Sequence, residues 1–208
     1  MSKTPLYTFG TAVALALPGL AAPYVLPSPQ TGALTPYDWH PMYGIESIYG
    51  VSTNDMPNTW GVRGSFNLYS NAENRWRHQF SLQGAYLEGS DDVVLHHSRR
   101  HANQKIWSVP MTAGYDLNFG LVDKLFLDIG GKAGYALGQY RLKDNHARWR
   151  YEDSFGAFTF SVGAGLKVQA GESIMVKLGY EYARTYIHTE YARSFSQHVI
   201  SLGVSSVF

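Results

Sequence analysis

The densest group of reactive side chains in the chain is the stretch HHSRRH, His96 to His101, with Asp91 and Asp92 shortly before it. Nucleophilic hydrolysis needs a serine hydroxyl, a histidine within reach of its proton, and an acid that orients the histidine. His96, Ser98 and the two aspartates supply those residue types. His96, His97 and His101 are also three imidazoles, the donor type that holds zinc or copper. Spacing alone selects neither chemistry, and a polar stretch between two alternating segments reads first as a solvated surface loop. A further histidine, His198, stands near Ser196 and Ser201 on an apolar face, where an interfacial role is favoured over that of a base. The expectation is therefore no catalytic residue, no cofactor and no metal.

Composition removes other classes. The 17 basic and 16 acidic residues balance to a net charge of +1, which gives no electrostatic pull toward nucleic acid. The absence of cysteine excludes a disulfide framework, a thiolate zinc site and a thiol nucleophile. The 15 Tyr, 10 Phe, 5 Trp and 21 Gly favour strands with tight bends over helices.

Lys3, the apolar run from Thr11 to Leu17 and the small residues Gly19, Ala21 and Ala22 read as a secretory signal peptide over residues 1–22. Residues 23–40, with Pro23, Pro27, Pro29 and Pro36, read as a short extended periplasmic lead-in, and residues 41–208 as the folded domain. Beyond Ala22 no stretch approaches the roughly 18 consecutive apolar residues of a spanning helix. Entry into a membrane must be by strands.

Those strands are visible as alternation. In Ile174, Val176, Leu178, Tyr180 and Tyr182 the apolar face opposes Lys177, Gly179, Glu181 and Ala183. Phe158 to Val168 opposes Ala157, Thr159, Ser161, Gly163, Gly165 and Lys167 in the same way, and Leu125 to Leu137 repeats the pattern. The last segment sets His198, Ile200, Leu202, Val204 and Phe208 against Gln197, Ser201, Gly203 and Ser205. Tyr43–Val51, Trp60–Tyr69, Trp76–Leu87 and Trp107–Leu117 bring the number to eight, with Pro110 expected to mark a local defect. Links at Ser70–Arg75, Asn118–Asp123 and Gln169–Glu172 are short; those at Ser52–Thr59, Glu88–Gln104, Arg141–Ser154 and Thr185–Phe195 are long and polar. Segments of this length with alternating short and long links predict an all-β, eight-stranded antiparallel up-and-down transmembrane barrel. Closure is obligatory, since hydrocarbon offers no partner to a free strand edge.

An eight-stranded barrel has an interior just wide enough for side chains to fill. The register places Glu46, Asp116, Asp128 and Glu181 inside with Arg63, Arg77, Lys132, Lys167 and Lys177, a nearly balanced set expected to form an ion-pair network that blocks a continuous water path. Trp76, Tyr43, Tyr86, Tyr135, Tyr180, Tyr182 and Trp107 are expected in aromatic belts on the lipid side.

With its leader, eight amphipathic strands and terminal LGVSSVF, the chain resembles the small outer-membrane β-barrels of the OmpA/OmpX/opacity-protein type of Gram-negative bacteria. The resemblance implies a monomeric cell-outer-membrane protein in contact with outer-membrane lipid and lipopolysaccharide. It also implies that Ile200, Leu202, Val204 and Phe208 form the signal read by the barrel-assembly machinery, although Ser206 stands where an apolar or aromatic residue is usual. Some barrels of this architecture are lipid A-modifying hydrolases or acyltransferases. His96 and Ser98 have the His-x-Ser spacing of lipid A deacylases, but Arg99 replaces the asparagine that follows there. The favoured expectation is a non-enzymatic barrel giving envelope integrity and surface contact, with host or matrix surfaces or with lipopolysaccharide phosphates, through His96, His97, Arg99, Arg100, His101, Lys143, Arg148 and Arg150. A lipid-modifying enzyme and a narrow channel are the alternatives.

Overall fold

A computed structural model describes residues 39–53, 56–70, 76–95, 100–122, 124–144, 150–171, 173–188 and 193–207. It contains eight strands: β1 (Trp39–Ser52), β2 (Thr59–Ser70), β3 (Trp76–Leu95), β4 (Arg100–Val122), β5 (Leu125–Asp144), β6 (Arg150–Gln169), β7 (Ile174–His188) and β8 (Arg193–Val207). Each pairs antiparallel with the next, and β8 pairs with β1 from Met42↔Val207 to Ser52↔Gln197. The sheet is a closed barrel, so every strand has a hydrogen-bonded neighbour on both sides. Residues 1–38, to which the leader and most of the lead-in were assigned, lie outside the described residues, and β1 is already under way at Trp39.

Alternation sets the two faces as the sequence implies. Tyr43, Ile45, Leu82, Met111, Ile129, Leu137, Val162, Leu178, Ile200 and Leu202 are exposed on the outside, whereas Glu46, Arg63, Asp128, Lys167, Glu181 and Ser201 are buried inside. Aromatic side chains on the outer face include Trp60, Tyr86, Trp107, Tyr135 and Tyr180, all exposed. Among the tight turns, Lys124 sits at φ 64°, in the left-handed region that a two-residue hairpin link demands.

Three of the links read as long loops, Glu88–Gln104, Arg141–Ser154 and Thr185–Phe195, are strand in their described residues, whereas Ser52–Thr59 is a link. β3 runs on to Leu95 and β4 begins at Arg100, and the register Leu87↔Ser108 continues upward to Leu95↔Arg100. Likewise β5 and β6 stay paired from Leu137↔Gly156 to Lys143↔Arg150. The polar composition that suggests loops belongs to hairpins standing in water, whose outer face is hydrophilic. β3, β5 and β6 have 20 residues and β4 has 23, about twice the 9–11 that cross a bilayer. β1, β2, β7 and β8 have 14, 12, 15 and 15, so one flank of the barrel is much taller than the other.

Pro110 is the one irregularity inside the spanning wall of β3 and β4. Pairing passes from Gly84↔Met111 to Leu87↔Ser108 without Ala85 or Tyr86 meeting Pro110 or Val109. The register is the same on both sides, so no residue is inserted; a rung is missing because proline has no N–H for the Ala85 carbonyl. Pro110→Ala should restore that rung. In amide hydrogen exchange of the refolded variant, the alanine amide introduced at this position is expected to be as slow as those of Ser108 and Thr112. Fast exchange there would mean that the seam is separated for another reason.

Candidate functional site

The buried charges lie in two clusters, one midway along the shorter strands and one nearer the short turns. In the first, Glu46 of β1, Arg63 of β2, Lys132 of β5 and Glu181 of β7 meet across the interior. Arg63 Nη1 donates to Glu46 Oε2 at 3.0 Å and to Glu181 Oε1 at 2.7 Å, and Arg63 Nη2 donates to Glu181 Oε2 at 3.0 Å. Lys132 Nζ donates to Glu181 Oε1 at 2.5 Å. In the second, Asp128 of β5 lies 3.1 Å from Lys167 Nζ of β6 and 2.7 Å from Lys177 Nζ of β7. Lys167 also donates to Gln79 Oε1 at 2.8 Å and Asn118 Oδ1 at 2.6 Å. Gln79 Nε2 in turn reaches Asn67 Oδ1 at 3.0 Å and Asp116 Oδ2 at 3.5 Å. With Asp116 counted in the second cluster, each contains two carboxylates and two cations, which removes the net charge that a dry interior could not hold.

Cross-strand register gives these side chains their space. Glu46 stands opposite Gly203, Asp116 opposite Gly130, Asp128 opposite Gly165 and Glu181 opposite Gly163. A Cβ at Gly203 would meet Glu46 Cγ, and one at Gly130 would meet Asp116 Oδ1. Every one of these four carboxylates thus faces a glycine on the next strand. Lys167 and Lys177 oppose one another directly, a repulsive pair that Asp128 between them makes stable.

Arg77, expected in this network, is elsewhere. It sits toward the turn end, donates to Tyr69 Oη at 2.8 Å and stands 4.6 Å from the Phe126 ring centroid, a cation–π contact in place of an ion pair. Its position at the start of β3 puts it at the turn end of the interior, near the small apolar group of Met42, Phe126 and Met175.

The outer half of the interior was not foreseen. Ala102, Ile106, Tyr140, Leu142, Phe155, Ala157, Ile187 and Phe195 form a buried apolar cluster above the charges, with Met56 and Tyr151 against it. Most of these fall in stretches whose polar composition reads as loop. The usable signal was phase: Ala102, Gln104 and Ile106 continue the inward series of Ser108, Pro110 and Thr112. Between apolar cap and charged layer lies a cavity of about 70 Å³, bounded by Ile106, Phe195 and Val199 on one side and Arg63, Lys132 and Glu181 on the other.

Over residues 12–208 the chain matches the family model described as outer membrane protein beta-barrel domain. It belongs to that family. Solved structures with a similar barrel include Neisserial surface protein A, at 13% identity and a TM-score of 0.49, covering 82% of this chain and 97% of that one. The N-terminal β-barrel domain of Pseudomonas aeruginosa OprF is 20% identical with a TM-score of 0.45, covering 82% and 100%. Ail, the attachment invasion locus protein of Yersinia pestis, is 15% identical with a TM-score of 0.43, covering 82% and 97%. No curated protein matches. As a member of the family, this is a protein of the outer membrane, and its tight turns face the periplasm while its tall hairpins face outward.

On that outward side the barrel carries an uneven charge distribution. Lys105 of β4 pairs directly with Arg141 of β5, and Lys143 of β5 with Arg150 of β6. Glu152 lies among them: Arg141 binds it through Nε at 3.2 Å and Nη2 at 2.8 Å, and Arg150 also reaches it. The hydrogen bond from Arg141 holds the Glu152 carboxyl below its usual range. Of the other residues expected to make outer contacts, His96, His97, Arg99 and Arg148 lie outside the described residues, and Arg100 and His101 are placed only as the first rungs of β4. Ile200, Leu202 and Val204 line the outer face of β8, and Phe208 lies beyond the described residues. Ser201 is buried inside, on the face opposite His198. Among the described residues no three histidine, aspartate or glutamate side chains gather as a metal site.

Glu181 is the acid shared by Arg63 and Lys132, so Glu181→Leu leaves two buried cations with Glu46 alone. Unfolding of the refolded barrel in urea should show a loss of about 3–5 kcal/mol. The double change Glu181→Leu, Lys132→Met, which leaves Arg63 balanced by Glu46, should recover most of it. An unchanged midpoint for the single variant would remove the network from any structural role.

Proposed function

We propose that this outer-membrane barrel is a non-enzymatic envelope protein whose filled interior supports the wall and whose tall β4–β6 face contacts polyanionic glycans, lipopolysaccharide phosphates among them, outside the membrane. The observation that carries the reading is the pair of like-charged cross-strand contacts, Lys105↔Arg141 and Lys143↔Arg150. Like charges directly opposite one another on a ribbon destabilise it, and Glu152 answers only part of the excess. A bound polyanion supplies the missing counter-charge, and guanidinium groups are suited to phosphate or sulfate by bidentate hydrogen bonding. The apolar cap above the ion pairs favours this reading over a channel, because water would have to wet Ile106, Leu142 and Phe155 to pass.

Binding of the refolded protein to purified lipopolysaccharide, measured across a range from low to high salt, tests the proposal. Affinity should fall steeply with salt, as charge-driven binding does. The triple variant Lys105→Gln, Lys143→Gln, Arg150→Gln should bind roughly tenfold or more weakly, consistent with losing three contacts worth a few tenths to about one kcal/mol each. Equal binding by wild type and variant at all salt concentrations would overturn it.

A further inference from the structure

We propose that the lipid-facing wall of β7 and β8 holds a site for the phosphate of an outer-leaflet lipid, formed by Arg184 and His198. The outward stripe of β7 changes character with height: Ile174, Val176 and Leu178 are aliphatic, Tyr180 and Tyr182 aromatic, then Arg184, then Tyr186. Arg184 is ten residues beyond Ile174, which begins the strand at the periplasmic turn. At about 3.3 Å per residue and a tilt near 40°, that is about 25 Å up, where an apolar band about 25 Å tall gives way to headgroups. A guanidinium directed at lipid is stable at that depth because anionic headgroups are within its reach.

Its immediate neighbours supply no counter-charge: Arg184 pairs with Phe160 on β6 and with Ser196 on β8. What the wall supplies is a frame. The guanidinium carbon lies 5.1 Å from the Tyr186 ring centroid, and that ring stacks with Phe158 at 6.3 Å and Phe160 at 6.2 Å. Stacking on a ring face keeps the in-plane N–H donors of arginine free for an anion.

His198 is fixed beside it. Its Nδ1 lies 2.6 Å from Tyr180 Oη, and its ring stacks on Tyr180 at 5.9 Å and meets Tyr182 edge-on at 5.6 Å. Tyr182 is itself tied by a 2.9 Å bond to Ser196 Oγ. With the Tyr180 hydroxyl donating to Nδ1, the imidazole's N–H is at Nε2. Arg184 and His198 are diagonal neighbours across the strand pair, about 7–8 Å apart at the backbone. The other outward histidine–tyrosine pair, His78 with Tyr115 at 2.5 Å, lies at the periplasmic end and has no outward arginine beside it, since Arg77 faces Tyr69 and Phe126. The cation, the aromatic frame and the depth coincide only on β7 and β8 among the described residues.

The test is native mass spectrometry of the full chain refolded in dodecyl maltoside, a phosphate-free detergent, with bisphosphorylated lipid A or phosphate-free lipid A added. Wild type should retain one phosphorylated lipid and about tenfold less of the phosphate-free form. Arg184→Gln should lose that preference, Arg184→Lys should keep part of it, His198→Phe should weaken retention about threefold, and His78→Phe, in the histidine–tyrosine pair at the periplasmic end, should leave it unchanged. The heat-dependent electrophoretic shift of a folded barrel verifies each variant. Equal retention of both lipids by wild type, or undiminished retention by Arg184→Gln or by His198→Phe, would overturn the site. Because Arg184 and His198 lie on this wall while Lys105, Lys143 and Arg150 lie on the glycan-facing patch, failure of one reading is distinguishable from failure of the other.

Discussion

In hydrocarbon no water is available to a backbone amide, and the rest of this architecture descends from that constraint. The β1–β8 pairing closes the sheet and gives every strand two neighbours. Closure in turn creates an interior too narrow to leave empty and too polar to fill with hydrocarbon alone. The chain answers with alternating residues, so the same strands that present Leu178 and Ile200 to lipid present Lys177 and Ser201 to one another. The missing rung at Pro110 is the exception that shows how closely the rule is otherwise kept.

Filling the interior with ions is favourable only where geometry is strict. Glu181 accepts both arms of Arg63 and the Lys132 ammonium, and Asp128 separates two lysines that would otherwise repel. These contacts link β2 and β5 with β7, and β5 with β6. The Arg63–Glu181 pair, between β2 and β7, can form only once the β1–β8 seam is closed, so it helps to select one register.

How much of this could be read from the chain depends on how local the signal was. Period-two alternation is written in adjacent residues, and it places Glu46, Arg63, Asp128, Lys132, Lys167, Lys177 and Glu181 on the inner face without any knowledge of partners. Which acid meets which base depends on register and stagger, which no single strand encodes; Arg77 illustrates the limit, since its inward phase is right but its height places it against Phe126. The glycines opposite each carboxylate were visible as small inward residues, but their purpose becomes apparent only with the register. The outer hairpins were missed because strand and loop share polar composition once a ribbon leaves the bilayer, and with them went the apolar cap. The Arg184 wall lies in a segment whose Tyr180 and Tyr182 suggest a belt, but the Phe158 and Phe160 rings that hold Tyr186, on which the arginine stacks, belong to a neighbouring strand.

Strands of unequal length turn the outer rim into a step. A molecule arriving from the medium meets the raised half formed by β3–β6 before it meets anything else. A lipid drifting sideways within its leaflet reaches β7 and β8 at headgroup depth with no comparably tall strand pair above it. The two halves are therefore addressed by different routes, one by three-dimensional diffusion and the other by two-dimensional diffusion, and traffic on one need not compete with traffic on the other.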